Sequence, residues 1–233
     1  MVVVAASPRL AAQSPADLSA WNALAVSPVG ALPVRAVRTP FGDSSWSDVS
    51  INFGIWHYDE DDAIHNNFAF TYARSLSAGH RSVAATLGYL SLSCGSCAAW
   101  LSGGVDVDAD LVDLRAAGAG DRGLSATLGL RASVGGAHYL GEGNASAISV
   151  ATMIPLTVAF ETFGASRMSV AFRPGMGVGR FSSVDEIGSG IRPIVGASVA
   201  WAKRRGPALE LGMQRVFITR GPSQLGASLS WRR

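Results

Sequence analysis

Apolar side chains recur at every second position along most of this chain, and that spacing constrains the fold more than any other feature. Val49, Ile51, Phe53 and Ile55 alternate with Ser50, Asn52 and Gly54. The same rhythm runs through Phe68 to Tyr72, Val83 to Tyr89, Leu124 to Val134, Ile148 to Phe160, Met168 to Val178, Val195 to Trp201, Leu209 to Met213 and Leu225 to Trp231. Successive side chains of a strand point to opposite faces, so period two over such runs predicts strands. Turn residues fall between them, at Ala78-Gly79-His80, Gly135-Gly136, Phe163 to Ser166, Arg205-Gly206-Pro207 and Arg220 to Ser223. No helical pattern separates the strands, which excludes parallel α/β folds. The expected fold is all-β, an antiparallel up-and-down barrel of about eight to ten strands. Residues 93–122 are the least regular and are expected to hold one strand around Val105 to Leu111.

Alternation alone fits a soluble barrel or a membrane one. The second face separates them. It carries Ser169, Ala171, Arg173, Gly175 and Gly177, then Gly196, Ser198 and Ala200, then Glu210, Gly212 and Gln214, then Gln224, Gly226, Ser228 and Ser230. A water-facing surface would carry more Lys and Glu. Small residues with a few charges suit a narrow lumen, where bulk does not fit and charges pair across the space. The whole chain is 48% hydrophobic and 15% charged, against roughly 25% charged in ordinary domains. That excludes disorder. No stretch approaches the roughly 20 apolar residues of a membrane helix. A closed barrel is the other structure that satisfies its backbone in lipid.

The net charge of +2 is too small to point to nucleic acid. Residues 1–13 read as a signal-peptide remnant, an apolar run before a small-residue Ala-Ala-Gln-Ser site. Residues 14–44 contain Pro15, Pro28, Pro33 and Pro40 and read as an extended arm, with Trp21, Leu24, Val34 and Val37 as its candidate partner-binding residues. The barrel domain is expected over 45–233.

The last hundred residues carry Phe172-Arg173-Pro174-Gly175-Met176-Gly177-Val178-Gly179, Ala208 to Val216, and the closing Gly226-Ala227-Ser228-Leu229-Ser230-Trp231. In these the chain resembles small bacterial outer-membrane β-barrels of the OmpA/OmpW-like kind. The resemblance implies a barrel in the bacterial cell envelope, in the outer membrane, with membrane lipid as its surroundings. Members commonly end on a terminal aromatic; here Arg232 and Arg233 follow Trp231.

Cys94-Gly-Ser-Cys97 is the only cysteine pair and is expected to close a small disulfide loop, since a zinc site needs about four ligands. Asp106, Asp108 and Asp110 would share one strand face. They are the candidate metal residues, with calcium as the ion. The competing reading pairs them with Arg115, Arg131 or Arg173 across a lumen. The Asp59-Glu60-Asp61-Asp62 run reads as a solvated turn. Trp46, Trp56, Tyr58, Trp201 and Trp231 are expected as interfacial aromatics. His57, His65, His80 and His138 raise a lipid-modifying hydrolase as a remote alternative, but no Gly-x-Ser-x-Gly elbow accompanies them.

Two functions follow. The first is a non-enzymatic outer-membrane barrel: a structural anchor, a narrow pore or a surface interaction module. The second is an exported soluble or peripheral β-protein, periplasmic, serving as subunit of a larger complex and tied to a protein partner by its arm. The second requires apolar side chains inside; the first requires Val49, Phe53, Leu128 and Val199 on the outside.

Overall fold

The computed structural model describes residues 45–57, 64–77, 80–91, 99–115, 123–141, 146–162, 166–182, 187–203, 205–217 and 223–233. The signal-like segment and arm, with Trp21, Leu24, Val34 and Val37, lie outside these residues, as do Cys94, Cys97 and Tyr58. The strands are β1 (Ser47–His57), β2 (Ile64–Ser77), β3 (Arg81–Ser91), β4 (Trp100–Arg115), β5 (Leu124–Tyr139), β6 (Ser146–Met153), β7 (Leu156–Thr162), β8 (Ser166–Ser182), β9 (Ile187–Lys203), β10 (Gly206–Val216) and β11 (Ser223–Arg232). All pairings are antiparallel between neighbours, and β1 pairs with both β2 and β11, so the ladder closes on itself.

β6 and β7 are two halves of one barrel strand. Both pair with β5 on one side and β8 on the other, without a shift of register. Pro155 interrupts the ladder because it has no N–H. Its carbonyl still accepts from the Gly129 amide at 2.8 Å, and the Ile154 amide donates to Pro174 at 2.8 Å. The barrel therefore has ten strands, the upper end of the expected count.

The stagger follows from the registers. From Ser50, the hydrogen-bonded row through Thr71, Thr86, Gly104, Gly135 and Ser149 arrives at Gly179. The row the other way, through Ser230, Ala208 and Ala202, arrives at Arg167, twelve residues away on the same strand. Ten strands closed with that stagger tilt by about 40° and give a backbone radius of about 10 Å.

The outer wall is apolar. Val49, Phe53, Leu128 and Val199 are between 37% and 48% exposed, and Phe70, Val134, Val150, Phe172, Leu211 and Leu229 join them outside. On β5 the outward apolar side chains run from Leu124 to Val134. At the inferred tilt this is about 25 Å of height, the apolar band of an outer-membrane barrel. The inner wall is mostly Ser, Thr, Ala and Gly with a few charges, and the larger Trp46, Trp100, Met153 and Ile194 also face inward. The apolar interior required by the soluble-subunit reading is not what the barrel has.

Three local expectations change. β4 is much longer than the Val105 to Leu111 segment: it runs sixteen residues and carries a bulge between Asp110 and Val112. Gly135-Gly136 is no turn, because β5 passes straight through it. There Gly135 faces Gly104 and Gly136 faces Gly103, and β6 pairs the other side. Trp46 is not an outward interfacial residue: it is 6% exposed and packs inside against Ala73 and Ala84, with the Arg232 guanidinium 5.2 Å from its ring centre.

Candidate functional site

Most inward positions are small, so the few long charged side chains stand out in the lumen. Asp108 on β4 and Arg131 on β5 are direct cross-strand partners. Arg131 Nε donates to Asp108 Oδ1 at 2.6 Å. Arg173 on β8 reaches over β9 to Glu210 on β10, with Nη2 donating to Oε1 at 3.4 Å. Gly196 makes that crossing open. It sits beside Arg173 in register, and a Cβ there would lie against the Arg173 side chain, 3.7 Å from Nε. Arg173 is 2% and Glu210 1% exposed. Arg173 is attracted by Glu210 and Asp108 and repelled by Arg131, so the four side chains form one electrostatic group.

The opposite wall is neutral and hydrogen-bonded. Asn52 Nδ2 donates to Thr71 Oγ1 at 3.0 Å, and the Thr71 and Thr86 hydroxyls are 3.0 Å apart. In a barrel tilted by about 40°, one height advances by about 1.2 residues per strand. By that rule Asn52, Thr71, Thr86, Asp106, Asp108, Arg131, Arg173 and Glu210 lie within about 7 Å of a common level. They form a polar belt at mid-height. Asn67 and Gln224 meet above it, over Gly54, where a Cβ would collide with both amides.

Asp106, Asp108 and Asp110 share the lumen face, and two of them have cationic or imidazole neighbours. Asp108 is held by Arg131, and Asp110 lies 3.7 Å from the His80 ring. Among the described residues no three His, Cys, Asp or Glu side chains group to hold a metal ion. His138 Nδ1 and Ser146 Oγ are 3.1 Å apart on exposed positions of β5 and β6. Among the described residues no carboxylate is seen to orient that imidazole, as a hydrolytic triad needs. Trp201 and Trp231 lie on outward positions near the end where both barrel termini lie. The side chains of Trp56, His57 and His65 are outside the described set.

Sequence reasoning marked Arg131 and Arg173 as partners for the aspartates and placed Glu210 on the inner face. It missed the Arg173–Glu210 pair, which skips a strand. It also missed Asn52, Thr71 and Thr86 as a group, although their positions within the alternation were visible.

No protein-family model and no curated protein matches this sequence. Solved structures similar to it include the transport unit of the autotransporter AIDA-I from Escherichia coli, at 12% identity over 94% of this chain and 98% of that one, with a TM-score of 0.37. The β domain of the Bordetella autotransporter BrkA has 13% identity over 81% and 99%, TM-score 0.37. The Yersinia pestis attachment invasion locus protein Ail, in complex with the heparin analogue sucrose octasulfate, has 10% identity over 82% and 99%, TM-score 0.33. These overlaps are loose, and the barrel is established by its own closed ladders.

Proposed function

We propose that this chain is a non-enzymatic barrel of the bacterial outer membrane, acting as a closed structural anchor rather than an open pore. One observation carries the membrane assignment: large apolar side chains ring the outside at lipid height while Ser, Thr, Gly and charged groups line the inside. In water that arrangement would be inverted. The end that holds both barrel termini has connections of two, three, three and eight residues, against four, six, six, six and eight at the other. Short turns face the periplasm in such barrels, so the longer loops are the extracellular ones. The belt supports the closed reading, because two ion pairs and an Asn-Thr-Thr chain occupy a lumen whose wall radius is only about 10 Å.

Two measurements test this. The purified chain should need detergent, and on a gel it should migrate differently before and after boiling. In planar bilayers the wild type should show no steady conductance, while Arg173→Ala/Glu210→Ala should open discrete ion-conducting events. Solubility without detergent would sink the membrane assignment. Steady wild-type conductance would sink the closed anchor and favour the narrow pore.

A further inference from the structure

Charge sign differs between the two faces of the wall. Among the described residues every strand carboxylate occupies a lumen-side position: Asp48, Asp106, Asp108, Asp110, Asp113, Glu161 and Glu210. Among the described residues the outward-facing charges are all cations: Arg74, Arg81, Lys203, Arg215 and Arg233, with the exposed Arg205 of the β9–β10 turn beside Arg233. Two of these converge. Ser47 pairs with Arg74 on β2, and on its other side it exchanges backbone hydrogen bonds with Arg233 at 3.1 and 2.8 Å. Nowhere else among the described residues do two outward cations flank one position.

Neighbouring strands lie about 4.8 Å apart, so the two arginine backbones are about 10 Å from each other across Ser47. Both side chains are long enough to close on a single anion in that gap. The next outward row toward mid-barrel is Tyr72, Val49 and Trp231, again paired across the same three strands. Tyr72 and Trp231 are the exposed walls of that row, and the smaller Val49 lies between them. Arg233 lies at the rim and Arg74 higher on the wall, with the outward Leu76 between it and the end of β2. Cations on the periplasmic side of an aromatic row match an anionic lipid, phosphate toward the rim and acyl chains toward mid-barrel. Arginine is suited to the phosphate, because its planar fork can donate two hydrogen bonds to it.

We propose that Arg74, Ser47 and Arg233, with Tyr72, Val49 and Trp231 beneath them, form a binding site for the phosphate and acyl chains of an anionic phospholipid in the periplasmic leaflet. This rests on the membrane reading above. The two arginines hold the phosphate, the Ser47 hydroxyl donates a further hydrogen bond, and the aromatic pair brackets one acyl chain over Val49.

The test is native mass spectrometry of the full chain, folded in an uncharged detergent and titrated with phosphatidylglycerol or phosphatidylcholine of identical acyl chains. Phosphatidylglycerol should bind about tenfold tighter, as expected for two cations near one anionic headgroup. Arg74→Gln/Arg233→Gln should bring it to the level of phosphatidylcholine. Arg81→Gln/Arg215→Gln, which removes the same charge elsewhere, should keep the preference. Equal binding of both lipids by the wild type would overturn the site. So would a preference that survives the first double variant, or one lost equally in the second. Gel migration before and after boiling checks that each variant is folded. A folded, detergent-dependent barrel without lipid preference refutes this site alone, whereas a chain soluble without detergent refutes the membrane reading beneath it.

Discussion

Glu210→Ala should be among the most damaging single substitutions in the barrel. Glu210 and Arg173 are almost fully enclosed, and their closest charged atoms are 3.4 Å apart. At an effective dielectric of about 20, that separation corresponds to an attraction of about 5 kcal/mol. Without the carboxylate the guanidinium stays in the lumen, facing the positive Arg131, with only a share of the Asp108 charge. Stranding one member of a buried pair costs about 3–5 kcal/mol. Replacing both members with apolar residues of similar size removes the stranded charge. Arg173→Met/Glu210→Leu should therefore lie within about 2 kcal/mol of the wild type. The assay is urea unfolding of the barrel folded into lipid vesicles, read by tryptophan fluorescence, with Glu210→Leu, Arg173→Met and the double variant in one cycle and Glu210→Ala measured beside them. A loss below about 1 kcal/mol for Glu210→Ala is the value for water-screened pairs. It would mean that the lumen is wet at mid-height and that the belt closes nothing.

Three further outcomes use the same titration. Leu211→Arg, at an outward position that is 56% exposed, should cost about 2–4 kcal/mol near the bilayer midplane; a neutral result would mean that this wall does not face lipid. Gly175→Ala should lower the urea midpoint sharply, because a Cβ there collides with the Thr152 carbonyl and the Met153 backbone, whereas Gly123→Ala, with open space around it, should leave the midpoint unchanged. Asp108→Ala should cost about 1.5–3 kcal/mol by removing a charge-assisted bond from Arg131, and an equal loss in an Arg131→Met background would show that the two do not act as a pair.

The wall was legible in the sequence because period two is a property of each strand alone. Ser169, Ala171 and Arg173 could be assigned to one face and Val170 and Phe172 to the other without knowing any neighbour. Cross-strand identity was not legible, since alternation carries no information about stagger. Arg173 meets Glu210 only because of how β8, β9 and β10 are offset, and because Gly196 leaves the path between them clear. Residues 100–115 failed as a clean strand for a local reason. Asp106, Asp108 and Asp110 mimic a polar loop, and the bulge after Asp110 reverses the parity, so that Leu111 and Val112 both face outward. Trp46 has the parity of Ser50 and Asn52, not of Val49 and Ile51, so the alternation itself places it inside despite its residue type.

The sorting of charge by sign follows from what each face meets. A carboxylate on the outer rim would sit beside lipid phosphates and be repelled, while an arginine there gains both a partner and a place for its aliphatic stem. A carboxylate in the lumen meets Arg131, Arg167, Arg173 or Arg232 instead. Among the described residues the inner acids outnumber those four arginines, so the balance of these inward charges is negative and that of the outward ones positive. The chain's net charge of +2 conceals that separation. Any passage opened by breaking the Arg173–Glu210 pair should thus favour cations over anions. The reversal potential of the Arg173→Ala/Glu210→Ala barrel in a salt gradient measures it, and anion preference would contradict the assignment of these carboxylates to the lumen.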